Sequence, residues 1–223
     1  MRARSGVVVG WVVVVAYAAL LVVAAVDGAE DQHQVKRPAA GSNAAERFVT
    51  AWERSRSASF VATGTFERRS EATGARVASE DVVAQRPPRR VHRQLGGVEG
   101  RDDDRLLVCP APPNGGDQPG TCRLGDPSGP TYAESVVADV QALGPMVAGR
   151  TPLDTVREVT AGCFALEQIR VEPRAPFGIR ARFCFDEATG APSERRVEYE
   201  GGIVEVVAVT DVSAEVMDAD LVP

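Results

Sequence analysis

The sequence predicts an α+β protein: one curved antiparallel sheet, a half-barrel, with two covering helices, preceded by one N-terminal transmembrane helix. Three observations lead to this fold class. A long run without charge opens the chain, two later segments repeat apolar residues at helical spacing, and most of the remaining chain alternates apolar and polar residues between short turns. Because these turns are too short for a crossover helix, the strands are expected to be consecutive and antiparallel.

The uncharged run covers residues 5–26 and is long enough to cross a bilayer, for which about 20 apolar residues suffice. Arg2 and Arg4 precede the run and Asp27 follows it, so the positive-inside bias exports the rest of the chain. We therefore predict a transmembrane signal anchor over residues 1–26 and a single-pass protein of the cell membrane, with its domain on the extracytoplasmic side. The alternative is a cleaved signal peptide and a secreted product, because small residues occur near the end of the run.

Residues 27–43 are polar, contain proline and glycine and lack an apolar period, so they are predicted to form a linker. Residues 44–223 then form one exported domain. Without Arg2 and Arg4 the chain holds 23 Lys and Arg against 31 Asp and Glu, a formal charge of −8. This balance argues against a nucleic-acid partner, and the sequence contains no basic cluster of the kind that binds anionic lipid head groups.

The domain is predicted to begin with an amphipathic helix that ends near Arg56. Asn43 and Glu46 resemble a capping box, and apolar residues, Phe48 and Trp52 among them, follow at helical spacing. Apolar residues at this spacing usually pack against a sheet, and we predict that role for Phe48 and Trp52 rather than contact with a ligand.

A meander of strands is predicted after this helix, because the apolar period changes to two. The predicted strands cover residues 60–66, 77–85, 89–95 and 105–109. The acidic segment 101–105 predicts a turn. Residues 110–130 are rich in Pro, Gly and Asp and predict a long loop, which serves either as a contact loop or as a decorated insertion.

Helical spacing returns over residues 131–147, and Gly144-Pro145 is expected to end this second helix. Strand patterns then resume over residues 163–171, 179–185, 195–200 and 203–212. Two helices are few for so many strands. We therefore expect the sheet to curve around them and to leave a cavity or groove partly open.

Four cysteines lie on the exported side of the predicted anchor, where an oxidising environment permits disulfides. Three pairings are possible. We predict that Cys109 pairs with Cys122 and that Cys163 pairs with Cys184, because each pair brackets a short segment. A zinc site is not expected, since the cysteines lack the close spacing of a zinc knuckle.

No catalytic or cofactor-binding pattern occurs in the sequence, and we predict neither an enzyme, a cofactor nor a metal site. The G-x-S-x-G and H-E-x-x-H motifs are absent, and the only histidines are His33 and His92. The acidic residues 102–104 lack the spacing of a calcium-binding loop.

The first strand offers candidate ligand-lining residues on one of its faces, namely Phe60, Ala62, Gly64 and Phe66. Small residues at positions 62 and 64 lie between two aromatic rings. We expect them to leave room that either a helix or an acyl chain occupies.

Several motifs together resemble the lipoprotein carrier superfamily, LolA-like half-barrels that include LppX-type and LprG-type envelope proteins. The motifs are the helix with Phe48 and Trp52, the strand SFVATGTF, the R-P-P-R break at 86–89 and the segment FCFDEATGAP at 183–192. Periplasmic sensor domains of sigma-factor regulators look similar. The resemblance implies a concave sheet and helical plug that hold acyl chains or a lipidated ligand, although this chain lacks the anchoring cysteine of lipidated members.

Two function classes follow. In the first, the domain binds a lipid or other apolar ligand, and a continuous apolar cavity of about 300 to 1,000 Å³ is expected. In the second, it is an envelope sensor or scaffold that contacts another protein without a bound lipid, and an exposed apolar patch is expected instead.

Overall fold

The computed structural model describes residues 40–109, 122–127, 129–170 and 175–222. The predicted anchor and nearly all of the predicted linker lie outside these residues. Within them, no helix combines the length and apolar character that a membrane span requires.

The described residues form two helices, eleven strands and a short 3₁₀ helix at residues Asp218–Leu221. Helix α1 covers Ala40–Ser57 and helix α2 covers Tyr132–Ala148. The strands are β1 Phe60–Ser70, β2 Arg76–Arg86, β3 Arg89–Gln94, β4 Gly97–Asp102, β5 Arg105–Val108, β6 Arg123–Pro127, β7 Asp154–Thr160, β8 Cys163–Gln168, β9 Arg180–Phe185, β10 Pro192–Tyr199 and β11 Ile203–Ser213.

All strands belong to one antiparallel sheet with the order β6-β5-β4-β3-β2-β1-β11-β10-β9-β8-β7. The first and last strands of this order are not paired with each other, so the described sheet is open. The predicted α+β class and consecutive antiparallel strands are confirmed. β1 and β11 pair at the centre, which joins the two meanders that the sequence predicts on either side of α2.

The core lies between α1, α2 and the β7–β10 half of the sheet. Phe48 is fully buried, with its ring centroid 5.5 Å from that of Phe164 and 5.6 Å from that of Phe183. Leu143 and Val147 of α2 are buried in the same cluster. The predicted core role of Phe48 is therefore confirmed. We call the face of the sheet on which α1 packs the inner face.

Three strands of the sheet were not expected from the sequence. β4 contains two glycines and several charged residues, which hide its period of two, and its backbone ladders to β3 and β5 define it. β6 lies in the segment predicted as a loop and pairs with β5 beside the Cys109–Cys122 disulfide. β7 pairs with β8 although only Asp154 and Val156 of it are buried.

Both helices have boundaries that differ from the predicted ones. α1 begins at Ala40, so position 43 lies within the helix and not at its N-terminal boundary. α2 continues through Pro145 to Ala148. A proline removes one backbone hydrogen bond and its ring crowds the preceding turn, but the burial of Leu143 and Val147 on either side of it favours continuation of the helix. The start of α2 carries a capping box formed by Thr131 and Glu134.

A mixed apolar and cationic cavity on the inner face

A partly open cavity of about 170 Å³ lies on the inner face, between the C-terminal half of α1 and the sheet. Its lining comes from β3 at one side and β9 at the other, with β2, β1, β11 and β10 between them. In a flat sheet these two outer strands would lie about 24 Å apart, because neighbouring strands are spaced by about 4.8 Å. Their side chains can line one small cavity only if the sheet curves, as the sequence predicts.

One wall of the cavity is apolar. Its side chains are those of Trp52, Phe60, Val83, Phe183, Phe185, Pro192 and Val207. Trp52 packs edge-on against Phe183, with ring centroids 5.6 Å apart, and is only partly buried. Trp52 thus packs on the core and also faces the cavity, so the prediction of core packing alone is incomplete for this residue.

The other wall is polar and charged. Its side chains are those of Ser55, Arg56, Asp81, Gln85, Arg90, His92 and Arg195. Four of these side chains come from β2 and β3. The strand register brings them together, because Gln85 lies opposite Arg90 and Val83 lies opposite His92. Alternate residues of each strand project to the same face, so Asp81 and Gln94 continue the polar surface.

Asp81 is a buried carboxylate with two polar neighbours on β3. His92 Nε2 lies 2.9 Å from Asp81 Oδ1, and the Gln94 amide donates a hydrogen bond of 2.6 Å to the same oxygen. Burial alone would raise the pKa of Asp81, but the hydrogen bonds from His92 and Gln94 and the charge of Arg195 together lower it. Asp81 is therefore ionised at neutral pH, and its hydrogen bonds hold β2 and β3 in register.

The three arginines of the cavity differ from Asp81 in having few partners. Arg56 binds Asp139 at 2.8 Å through one terminal nitrogen, while its buried Nε has no hydrogen-bond partner. The buried Nε of Arg195 likewise has none. The side chain of Arg90 makes no hydrogen bond or ion pair with any described residue; burial and the charge of Arg56 lower its pKa. The polar wall therefore presents two guanidinium groups, those of Arg90 and Arg195, that form no ion pair with a described carboxylate, and a third, that of Arg56, that is paired through one nitrogen only.

Gln85 fixes the end of α1 above the cavity. It is 1% exposed, and its amide nitrogen lies within 2.7 to 3.2 Å of the carbonyl oxygens of Ser55, Arg56 and Ala58. Carbonyls at the end of a helix have no partner within the helix. A side chain of β2 therefore satisfies them and sets the position of Arg56.

The four predicted ligand-lining residues share one face of β1, as expected, but only Phe60 lines the cavity. Ala62 packs with Phe60 and Ala191, and Phe66 is buried opposite Val207. The room expected beside Gly64 does not exist: a Cβ there would lie 2.2 Å from the carbonyl oxygen of Ala208. Gly64 allows β1 and β11 to approach each other closely. A larger side chain at this position would disturb the sheet and would not fill a ligand space.

The two predicted disulfides are both present. Cys109 is bonded to Cys122, and Cys163 is bonded to Cys184. Cys163 and Cys184 are direct cross-strand neighbours on β8 and β9, so this bond lies within the ladder. Among the described residues, no group of three or more His, Cys, Asp and Glu side chains is arranged to hold a metal ion.

The charged half of the cavity was not predicted from the sequence. Arg90, His92 and Gln94 alternate on a strand that was predicted, and this polar alternation was the available signal for a polar inner face at β3. Nothing in the sequence linked them to Arg56 or Arg195, which come from α1 and β10. The acidic composition also concealed the cluster, since a net charge says nothing about local charge.

Comparison with known proteins yields similarities to solved structures. Scans of protein-family models and of curated proteins return no match. A crystal structure of MucB has a TM-score of 0.43 and 19% identity, with 81% of this chain and 62% of MucB covered. A complex of MucA and MucB from Pseudomonas aeruginosa has a TM-score of 0.42 and 18% identity, with 81% and 61% covered. The chain thus spans about three fifths of the MucB chain.

A LolA superfamily protein from Nitrosomonas europaea is also similar, with a TM-score of 0.33 and 10% identity over 81% of this chain and 98% of that one. It belongs to the superfamily that the sequence motifs resemble.

Proposed function

We propose that this chain is an extracytoplasmic binding protein, not an enzyme, whose cavity holds one end of an amphipathic, lipid-like ligand. The observation that carries the proposal is that the partly open cavity has one apolar wall and one charged wall. Small-molecule sites typically combine an apolar lining with a few convergent polar groups. A ligand with an apolar segment and a polar end matches both walls at once.

The size of the cavity limits how much of the ligand it encloses. Ligand pockets usually measure about 300 to 1,000 Å³. The volume here is about 170 Å³, below the range expected for a cavity that encloses a whole apolar ligand. We therefore propose that a polar end and a short apolar segment lie inside, while the rest of the ligand extends through the open side.

The proposal includes the location of the domain. The uncharged residues 5–26 with arginines before them and acidic residues after them support a single-pass membrane anchor, with the binding domain outside the cytoplasm. An anchored domain would meet its ligand at the membrane surface, where amphipathic molecules are found.

Filling the cavity tests the proposal. Val83 lines the cavity, whereas its neighbour Val82 projects to the opposite face of β2. The full chain would be extracted from its host in mild detergent, and bound small molecules would be measured by native mass spectrometry. Val83→Phe should reduce the bound fraction at least about fivefold because the ring occupies the ligand space, whereas Val82→Phe should retain it within about twofold.

Thermal unfolding of both variants separates loss of binding from loss of folding. Equal retention by a folded Val83→Phe variant and by Val82→Phe would refute the cavity as the binding site. Absence of any bound small molecule from the wild type would favour the second candidate function.

The second candidate is contact with another envelope protein, and the β5–β6 hairpin favours it. Leu106, Val108 and Leu124 of this hairpin are 51%, 46% and 40% exposed. β6 is also an edge strand of the described sheet, and unpaired edges are sites at which another chain can add. If this function holds, Leu106→Glu should release a co-purifying protein that Val83→Phe leaves bound.

A further inference from the structure

The charged wall of the cavity holds more positive than negative charge. Three arginines, Arg56, Arg90 and Arg195, line it together with a single carboxylate, Asp81. They come from α1, β3 and β10, which are three separate parts of the chain. This excess of positive charge is confined to the cavity, since the whole chain has a formal charge of −6.

Asp81 does not form an ion pair with any of these three arginines. Its Oδ1 already accepts a hydrogen bond from Gln94 and lies 2.9 Å from His92 Nε2. None of the three arginines lies within 4.0 Å of an Asp81 oxygen. The carboxylate is thus engaged between β2 and β3, and the guanidinium groups keep donors for another partner.

Several of those donors lack partners, although one terminal nitrogen of Arg56 pairs with Asp139. The Nε atoms of Arg56 and Arg195 are buried without a hydrogen bond, and the side chain of Arg90 has neither a hydrogen bond nor an ion pair among the described residues. Two guanidinium groups, those of Arg56 and Arg90, also repel each other. Leaving a buried donor unpaired is unfavourable, and like charges in a partly dry site destabilise each other. An anion in the cavity would relieve both effects.

We propose that Arg56, Arg90 and Arg195 form an anion-binding site that recognises the phosphate or carboxylate head group of an amphipathic ligand. Guanidinium groups bind such oxyanions through paired, charge-assisted hydrogen bonds. Trp52 and Phe183 border the same cavity and would contact the first apolar atoms behind the head group. This inference rests on the proposed binding function and specifies the charge of its ligand.

Trp52 provides a reporter inside the cavity. The chain has two tryptophans, and Trp11→Phe leaves Trp52 as the only one. The full chain with this substitution, held in an amphipathic polymer, would be titrated with n-octyl phosphate, with the uncharged n-octyl glucoside and with inorganic phosphate. We expect octyl phosphate to change Trp52 fluorescence with at least about tenfold higher affinity than octyl glucoside, because only its head group is an anion.

Two matched pairs of variants test the arginines. Arg195→Gln and Arg90→Gln should each weaken octyl phosphate binding at least about fivefold and leave octyl glucoside binding unchanged. Arg196→Gln and Arg89→Gln alter the adjacent residues, which project to the opposite face and pair with Glu198 and Asp102, and should leave both affinities unchanged. Thermal unfolding confirms that each variant is folded.

The possible results are distinct. Equal affinity of the wild type for octyl phosphate and octyl glucoside would refute the anion site but leave the proposed amphipathic ligand intact. No response to either octyl compound would contradict the proposed function itself. Binding of inorganic phosphate as tightly as octyl phosphate would assign the site to a free anion and overturn the head-group assignment.

Discussion

At the scale of single residues, two buried aspartates occupy opposite environments. Asp81 is 4% exposed and receives hydrogen bonds from β3, which together lower its pKa. Asp154 is 2% exposed, and its Oδ2 has no hydrogen-bond partner. Burial therefore raises the pKa of Asp154. The first carboxylate stabilises the folded state when it is ionised, and the second destabilises the folded state when it is ionised.

We predict that Asp154→Asn stabilises the domain at neutral pH. Because the folded pKa of Asp154 is raised, the folded state binds this proton more tightly than the unfolded state does. Ionisation of Asp154 therefore does not destabilise the folded state below the usual aspartate pKa of about 3.9, and it does so fully above the raised folded pKa. The free energy of unfolding, measured with denaturant, should rise by about 1 kcal/mol at pH 7. The gain should disappear at a pH below about 3.9.

Asp81→Asn is the control for this prediction and should have the opposite sign. Its folded pKa is lowered, so its contribution to stability is present at neutral pH and is lost as the pH falls through that folded value. A loss of stability at pH 7 in Asp154→Asn would show that its carboxylate has a favourable partner.

At the scale of elements, the pairing of β1 with β11 depends on Gly64. The register between the two strands shifts between Thr63 and Gly64, which brings the backbone of Ala208 and Val209 close to the glycine. A Cβ on Gly64 would lie 2.2 Å from a backbone oxygen and 2.7 Å from the Cα of Val209. Backbone atoms in a central ladder cannot rotate away as a side chain can.

Gly64→Ala should therefore destabilise the domain by about 1 to 3 kcal/mol, the range for overpacked sites. The control is Gly144→Ala in α2, where a Cβ would meet no atom within 4 Å. That variant should be neutral or more stable by up to about 1 kcal/mol, because alanine favours helix more than glycine does. Thermal or denaturant unfolding of the two variants compares them, and equal stability would refute the close approach.

At the scale of the whole molecule, the inner face has two halves of different character. The β7–β10 half carries the aromatic core and is covered by α1 and α2, and the β2–β3 part carries Asp81, Arg90 and His92. Curvature of the sheet joins the halves at the cavity, and Gln85 holds the end of α1 there. A ligand site with an apolar and a charged side arises from this junction.

Membrane topology is a prediction at the same scale. If residues 1–26 anchor the chain, protease added to intact spheroplasts should digest the domain, and the protein should fractionate with membranes. An abundant cytoplasmic protein serves as the control for spheroplast integrity. Full protection of the domain would contradict export, and recovery of a soluble protein that begins near residue 26 would replace the anchor with a cleaved signal peptide.

Features that depend on neighbours along the chain could be predicted from the residues alone. The helical spacing around Phe48, the alternation of β1 and the short segments between cysteine pairs predicted two helices, antiparallel strands and both disulfides. The sequence did not predict β4, β6 and β7, whose backbone ladders form with little apolar alternation. The folded structure was needed to show that Arg56, Arg90 and Arg195 line one cavity and that Gly64 lies against β11. These contacts depend on strand order and on the curvature of the sheet, and neither can be read from the spacing of residues along the chain.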